Sequence, residues 1–358
     1  MTKATVNRQV QLTRFVGADE VVSPDHFNVV ATPMPLVGDK QILVKVLLLG
    51  TSPAQRMYIT EERKFHFAVE IGDVMSGRGV AEVIVSNHPD YSVGEIIQAN
   101  TYWQDYIVLT PDDKTDPKGN VNTIQKVPTP VRPLTSVLGA FGQLAFTALC
   151  GIVDVCDTKE GDVVVITAAA GGVGSMAGQI AKIKGAKKVI GVASTRKKCD
   201  WLVNEVGFDA AISYKEEDIG EALDRECPDG IDVALDSVGT YQLDAILKRI
   251  RKNARVGVVG WITGEYQDVP PPGPAHYYNL IYQRAKMEGY VVWDHVARFP
   301  EMEAQMREWY KAGKIKMLDD VSDGLESAPS ALGSLFTGGN MGGCIIRVAD
   351  DPEHVPQL

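Results

Sequence analysis

The chain predicts an α/β protein in which a strand-rich N-terminal region precedes a doubly wound parallel sheet. Three observations carry this. Residues 163–198 read VVVITAAAGGVGSMAGQIAKIKGAKKVIGVASTRKK, an apolar β-branched run, a small-residue turn, an Ala, Ile and Lys pattern at helical spacing, then a second apolar run. With a helix stop at Gly185 this is one βαβ crossover. Beyond it, strand and helix patterns alternate; before it lie only short β-rich runs.

Composition sets bounds on this reading. The 358 residues are enough for two domains of ordinary size, each with its own core. A net charge of −10 argues against nucleic acid or an anionic membrane as the main partner. The segments 134–153 and 163–181 carry no charge, but Gly, Ser, Thr and Gln dilute both, and a buried α/β interior explains them better than a membrane span. The start, MTKATVNRQVQL, lacks the continuous apolar stretch of a signal peptide, so a cytoplasmic location is expected. Five cysteines without a CxxC pair read as reduced thiols, and neither they nor the six histidines have zinc-ligand spacing.

In order along the chain, 28–31, 41–49, 80–86, 95–99 and 105–109 are β-rich runs punctuated by Pro, Gly, Asn and Asp, which predicts an antiparallel, barrel-like domain. Residues 111–120 read as a surface loop, and Pro128, Pro130 and Pro133 mark a boundary. After the βαβ unit come a helix at 198–206 with Trp201 and Leu202 inward, a strand at 210–213 and a helix at 216–225. A strand at 231–235 then ends in Asp236, Ser237, Val238 and Gly239, followed by a helix at 241–250 and a strand at 255–259. The proline-rich stretch VPPPGPAHYYN, 269–279, is either a lid or a rigid surface connection. An amphipathic helix at 301–311 precedes short elements that close with a strand at 344–348. Because that last strand resembles the first region, the expected division is a discontinuous domain, 1–132 with 313–358, around a parallel-sheet domain, 133–312.

The turn fits the dinucleotide pattern GxGxxG with Ala169 in the first place and Gly171 and Gly174 following. Gly171 lets the backbone approach a pyrophosphate, Gly174 lets the helix pack on the strand, and the helix start at Gly172 and Val173 offers amides to phosphate. About 20 residues on, an NAD site places Asp or Glu for the ribose 2′-OH. Here stand Ser194, Thr195, Arg196, Lys197 and Lys198, which suit a 2′-phosphate, so NADP(H) is the expected cofactor. Ligands of such sheets bind at the carboxyl ends of strands, the location of Ser194, Ser237 and Thr263.

Several stretches together resemble one family. SNHPDYSVGE (86–95), WQDY (103–106), AAAGGVG (168–174), KKCDWL with GFDAAISYK (197–215), GIDVALDSVG (230–239), GLESAPSAL (324–332) and LFTGGNMGG (335–343) are similar to the zinc-independent medium-chain dehydrogenase/reductases. The likeness is to the branch of alkenal double-bond reductases, prostaglandin reductases and curcumin reductase. It implies a GroES-like domain formed by both termini around a Rossmann domain, NADP(H) as cofactor, no metal, and a homodimer.

Carried over by position, the resemblance implies Lys198 at the 2′-phosphate with Ser194 and Tyr214 beside it, Ser237 near the cofactor where the family has Asn, and Asn340 near the nicotinamide. The resemblance also places Tyr266 beside the nicotinamide ribose and substrate, as the catalytic candidate. Thr147, Arg196, Val259 and Thr263 complete the expected cofactor set with Gly171, Gly172, Val173 and Gly174. The substrate pocket is expected at Ala54, Gln55, Tyr102, Gln143 and Tyr277. Where the family reads DPYMRG and MPGFTAY, this chain has Ala54, Gln55 and Gln143 among its replacements, which implies a wider or more polar pocket. The implied reaction is hydride transfer from NADPH to the β-carbon of an α,β-unsaturated ketone or aldehyde. Carbonyl or quinone reduction on the same fold, and a non-catalytic NADPH-binding protein, are the alternatives.

Overall fold

The computed structural model describes residues 6–61, 68–113, 115, 123–264 and 267–358. The chain forms two compact units, Met1–Leu138 with Asp320–Gly339 and Cys344–Leu358, and Gly139–Asp319 with Asn340–Gly343.

In the first unit, β1 (Val6–Leu12) and β2 (Phe27–Pro33) pair antiparallel. The strands β3 (Ile42–Gly50), β4 (Arg78–Ser86), β5 (Ile96–Asn100), β6 (Tyr106–Leu109) and β7 (Gln125–Lys126) belong to a larger sheet. β3 is buried at most positions because β4 and β6 both pair with it, antiparallel, so its sequence ILVKVLLLG shows little alternation.

The second unit is built on six parallel strands: β8 (Val163–Ile166), β9 (Lys188–Ala193), β10 (Ala210–Ser213), β11 (Ile231–Asp236), β12 (Ile250–Val258) and β13 (Lys286–Gly289). Their order, β10-β9-β8-β11-β12-β13, is that of a Rossmann fold. Successive residues of β8 feed different cores. Val164 and Ile166 pack with Ala177, Ile180 and Leu202, whereas Val163 and Val165 pack with Ile190, Leu223 and Ile246. Burial on both faces explains the continuous apolar run. Finally β14 (Asp319–Asp323) and β15 (Gly343–Arg347) return to the first unit's sheet, with β15 against β3.

The domain boundaries differ from those expected at 132/133 and 312/313. Val131, Leu134, Val137 and Leu138 share one buried cluster with Leu47, Val80 and Ile345, and the Leu134 amide donates to Asp351, so the chain past the prolines still belongs to the first unit. At the other end Ile315 lies in the second unit's core and the Lys316 amide donates to Gln179, so that unit continues to Asp319. The uncharged stretch becomes the short helices Thr135–Leu138 and Gln143–Leu149, continued by Cys150–Val155. Among the described residues no helix is long and apolar enough to cross a membrane. The helix expected at 241–250 is shorter, Thr240–Leu247, because Ile250 already pairs with Ile231 as the first residue of β12. A helix at Ala328–Thr337, with Pro at its start where no amide partner is lost, stands where only short elements were expected.

Candidate active site

The carboxyl ends of β8, β9, β11 and β12 gather most of the expected cofactor residues. After β8, Ala168 takes a left-handed φ of 46° and its carbonyl accepts the Gly171 amide at 2.9 Å, closing the turn. The helix Gly172–Ile183 starts there, with Gly171 as N-cap. The amides of its first turn, Gly172, Val173 and Gly174, have no partner within the helix and are the groups that receive an anion. A Cβ at Gly174 would lie 2.5 Å from the Ala168 carbonyl oxygen, so the third glycine is demanded by packing.

Two distant stretches converge on this turn. The Gly342 amide donates to the Ala170 carbonyl at 2.8 Å and Gly342 bridges Gly171, which brings the buried Asn340 to the glycine turn. Its side-chain amide donates to the Gly342 carbonyl at 3.3 Å. The helix Gln143–Leu149 also abuts the turn, for a Cβ on Gly172 would meet Leu144 at 2.7 Å. It carries the half-buried Gln143, whose carbonyl accepts the Thr147 hydroxyl at 2.8 Å.

At the end of β9, Ser194 is buried and its hydroxyl has no protein partner among the described residues. Thr195 caps the following helix, Arg196–Trp201, by accepting the Lys198 amide. Of the cations here, Arg196 is exposed and lies within 3.9 Å of Glu216 and 3.6 Å of Glu217, and Lys198 is half-buried. The Tyr214 amide donates to the Ala193 carbonyl, which places that tyrosine beside Ser194, and burial raises its phenol's pKa.

The turn after β11 is held on both flanks. Asp236, fully buried, accepts the Thr167 hydroxyl at 2.7 Å and the Gly239 amide at 2.8 Å, and the Thr167 oxygen accepts the Ser237 amide at 2.9 Å. From β12, the Val259 amide donates to the Asp236 carbonyl and the Thr263 hydroxyl to the Val238 carbonyl. Ser237, Val259 and Thr263 are thereby brought together. Thr167 and Asp236 were not among the site residues expected from sequence, although Thr167 directly follows β8 and Asp236 ends β11, at the carboxyl ends where such sheets bind ligands.

Three expectations fare differently. Tyr266 lies outside the described residues. Tyr277 is 61% exposed, and its neighbours tie it to the far half of the helix Thr240–Leu247: His276 bonds Asp244 and Asn279 bonds the Leu247 carbonyl. The stretch is there fastened to that helix. In the first unit Gln55 and Tyr102 do meet at one segment, Gln55 donating to the Ser76 carbonyl and the Tyr102 amide to Gly77. Gln55 is buried and its oxygen also accepts the Ser52 amide, so its amide fastens backbone on both sides. Ala54 is half-buried beside it, and Tyr102 holds a left-handed φ of 54°.

Residues 8–116 match the family described as the N-terminal domain of oxidoreductase, and residues 172–308 match the family described as zinc-binding dehydrogenase. These define a medium-chain dehydrogenase/reductase. The chain is 33% identical to the NADPH-dependent curcumin reductase of Escherichia coli (strain K12), over 92% of this chain and 93% of that protein. It is 34% identical to the NADP(+)-dependent 2-alkenal reductase of Nicotiana tabacum, over 98% and 99%. Among solved structures, CurA from Vibrio vulnificus in complex with NADPH superposes with a TM-score of 0.85 at 31% identity, over 96% of this chain and 100% of that one. The chain belongs to the double-bond reductase branch of the superfamily that includes these proteins.

One matched description names zinc, and the donor residues present do not fit it. All five cysteines are buried and free, and burial pushes the Cys150 thiol up to about 11 and Cys156 to about 12, against the thiolate a metal needs. Among the described residues no group of three or more His, Cys, Asp or Glu side chains is placed to hold an ion.

Proposed function

We propose that this protein binds NADPH along the carboxyl ends of β8, β9 and β11 and reduces the C=C bond of an α,β-unsaturated ketone or aldehyde. The observation that carries this is the pairing of the glycine turn with a β9 end that supplies Ser194, Arg196, Lys197 and Lys198 where an NAD site has a carboxylate. The residues fit the cofactor: Gly171 leaves the turn's backbone open to a pyrophosphate, and Ser194 keeps a buried hydroxyl with no protein partner among the described residues. The named activities of the relatives point the same way.

When bound, NADPH supplies the hydride that reaches the substrate's β-carbon. The chain's part is to hold the reactants and to stabilise the negative charge that then develops on the substrate's carbonyl oxygen, and Tyr266 is our candidate donor to that oxygen. The test is NADPH oxidation with an enone and identification of the product. A saturated ketone is expected; an allylic alcohol would establish carbonyl reduction instead. Absence of NADPH consumption across enones, enals and quinones would leave a binding protein.

A homodimer is part of this proposal, and β13 supports it. Every residue of β13 is exposed and the strand ends the sheet, with Ile281, Tyr282, Val291 and Trp293 also exposed nearby. Such an edge invites pairing with a second strand, and a second copy of the same edge satisfies both. Sedimentation should give twice the chain mass of 38.9 kDa, and Ile281→Glu combined with Val291→Glu should give monomers. A wild-type monomer would exclude the dimer. Free thiols at all five cysteines support a reducing, cytoplasmic setting.

A further inference from the structure

We propose that Thr167 and Asp236 form a latch that fixes the Ser237 turn against the glycine turn and so positions the nicotinamide end of the cofactor. This rests on the NADPH reading above. β8 and β11 are neighbours in the parallel sheet, with Ile166 opposite Leu235, and the latch spans the next residue on each. The Thr167 amide first continues the ladder by donating to the Leu235 carbonyl at 3.1 Å. Its hydroxyl has a single proton, given to the Asp236 carboxylate, and its oxygen accepts the Ser237 amide. Asp236 also accepts the Val238 amide at 3.3 Å and the Gly239 amide at 2.8 Å.

The arrangement is expensive for the fold alone. A fully buried carboxylate that no cation among the described residues reaches is costly to desolvate, and three donated hydrogen bonds only offset that cost. The turn it holds is itself strained, since Gly239 and the non-glycine Thr240 both have left-handed φ, 78° and 51°. On the opposite flank the Ile262 amide donates to the Ser237 carbonyl and the Thr263 hydroxyl to the Val238 carbonyl. Five backbone groups of residues 237–239 are thus fixed, while the hydroxyl of half-buried Ser237 is left without a protein partner among the described residues. A turn immobilised in its backbone with one side-chain donor left over is built to present that donor. Thr167 and Asp236 act through it and are positioning residues.

The experiment compares binding of NADPH with binding of 2′,5′-ADP, which carries the 2′-phosphate but no nicotinamide. Thr167→Val removes the hydroxyl at nearly constant volume and should raise the NADPH dissociation constant about 5- to 10-fold, the loss of one or two buried hydrogen bonds. Binding of 2′,5′-ADP should stay within about twofold, because the adenosine end does not depend on the latch. Thr167→Ser should restore NADPH binding, and Asp236→Asn should reproduce the Thr167→Val pattern. A Thr167→Val protein that binds NADPH as wild type does, or that loses both ligands equally, would overturn the proposal. Failure of the wild-type protein to bind NADPH would instead overturn the functional reading on which it rests.

Discussion

Gly174→Ala should lower the melting temperature by roughly 5–10 °C and abolish measurable NADPH binding, while Gly171→Ala should melt close to wild type and still lose the cofactor. The two glycines stand three residues apart in one motif, yet they meet different constraints. A Cβ at 174 would sit 2.5 Å from the Ala168 carbonyl oxygen and 2.7 Å from the Ala169 Cα. Both are backbone atoms, and the Ala168 carbonyl is pinned by the Gly171 amide in a turn already strained at Ala168. The helix has to move off the strand, an overpacking cost of about 2–3 kcal/mol. At 171 the backbone is ordinary, φ −86° and ψ 173°, and an added Cβ meets only the Ala168 oxygen at 3.3 Å. Nothing within the protein demands glycine strongly there; the approach of a pyrophosphate does. A thermal scan alongside NADPH titration separates the two. Equal melting losses for both variants would show that Gly171 is a packing residue too.

That contrast also shows what kind of information the sequence held. The parallel sheet was legible because β8, β9 and the Val233–Leu235 part of β11 are buried on both faces and appear as apolar runs between glycine and charged punctuation. β13 was not legible. Its four residues, KMEG, are all exposed, so no hydrophobic period marks a strand whose existence depends on pairing with β12 along one edge. The return of residues 340–343 to the glycine turn is implied by the resemblance alone, through Asn340, because a bridge made by Gly342 and a backbone bond to Ala170 has no side-chain signature.

At the site, the sequence offers candidates where type and spacing carry the chemistry, and offers none where the chemistry depends on burial. Gly171, Gly174 and Lys198 are candidates of the first kind. Asp236 belongs to the second, because in sequence a buried carboxylate at a strand end looks the same as a solvated one starting a turn. Gln55 shows the converse. A glutamine in place of an apolar residue suggests a polar pocket, and the fold also employs its amide within the chain, accepting from the Ser52 amide and donating to the Ser76 carbonyl. Tertiary partners decide whether a polar side chain faces a ligand or fastens the chain.

Replacing Lys198 by Ala should weaken NADPH binding about 10- to 100-fold while changing NADH binding by less than about twofold, the range expected for losing a charge-assisted contact to a phosphate. The three cations after β9 are not equivalent. Arg196 is exposed, lies within 3.9 Å of Glu216 and 3.6 Å of Glu217, and gives its backbone amide to Glu216 at 2.8 Å, so two carboxylates compete with a phosphate for its solvated charge. Lys197 is exposed, and water competes with any contact it makes. Lys198 is half-buried, one turn into a helix whose start is fixed by the Thr195 cap, which restricts where its ammonium can lie. Arg196→Ala should accordingly cost less than about tenfold, and raised salt should weaken NADPH binding more than NADH binding. Titrating both cofactors against both variants tests the assignment. Equal losses of NADPH and NADH in the Lys198 variant would mean that this lysine supports the helix and not the 2′-phosphate, and a larger loss at Arg196 would mean that the phosphate displaces Glu216 to take the arginine.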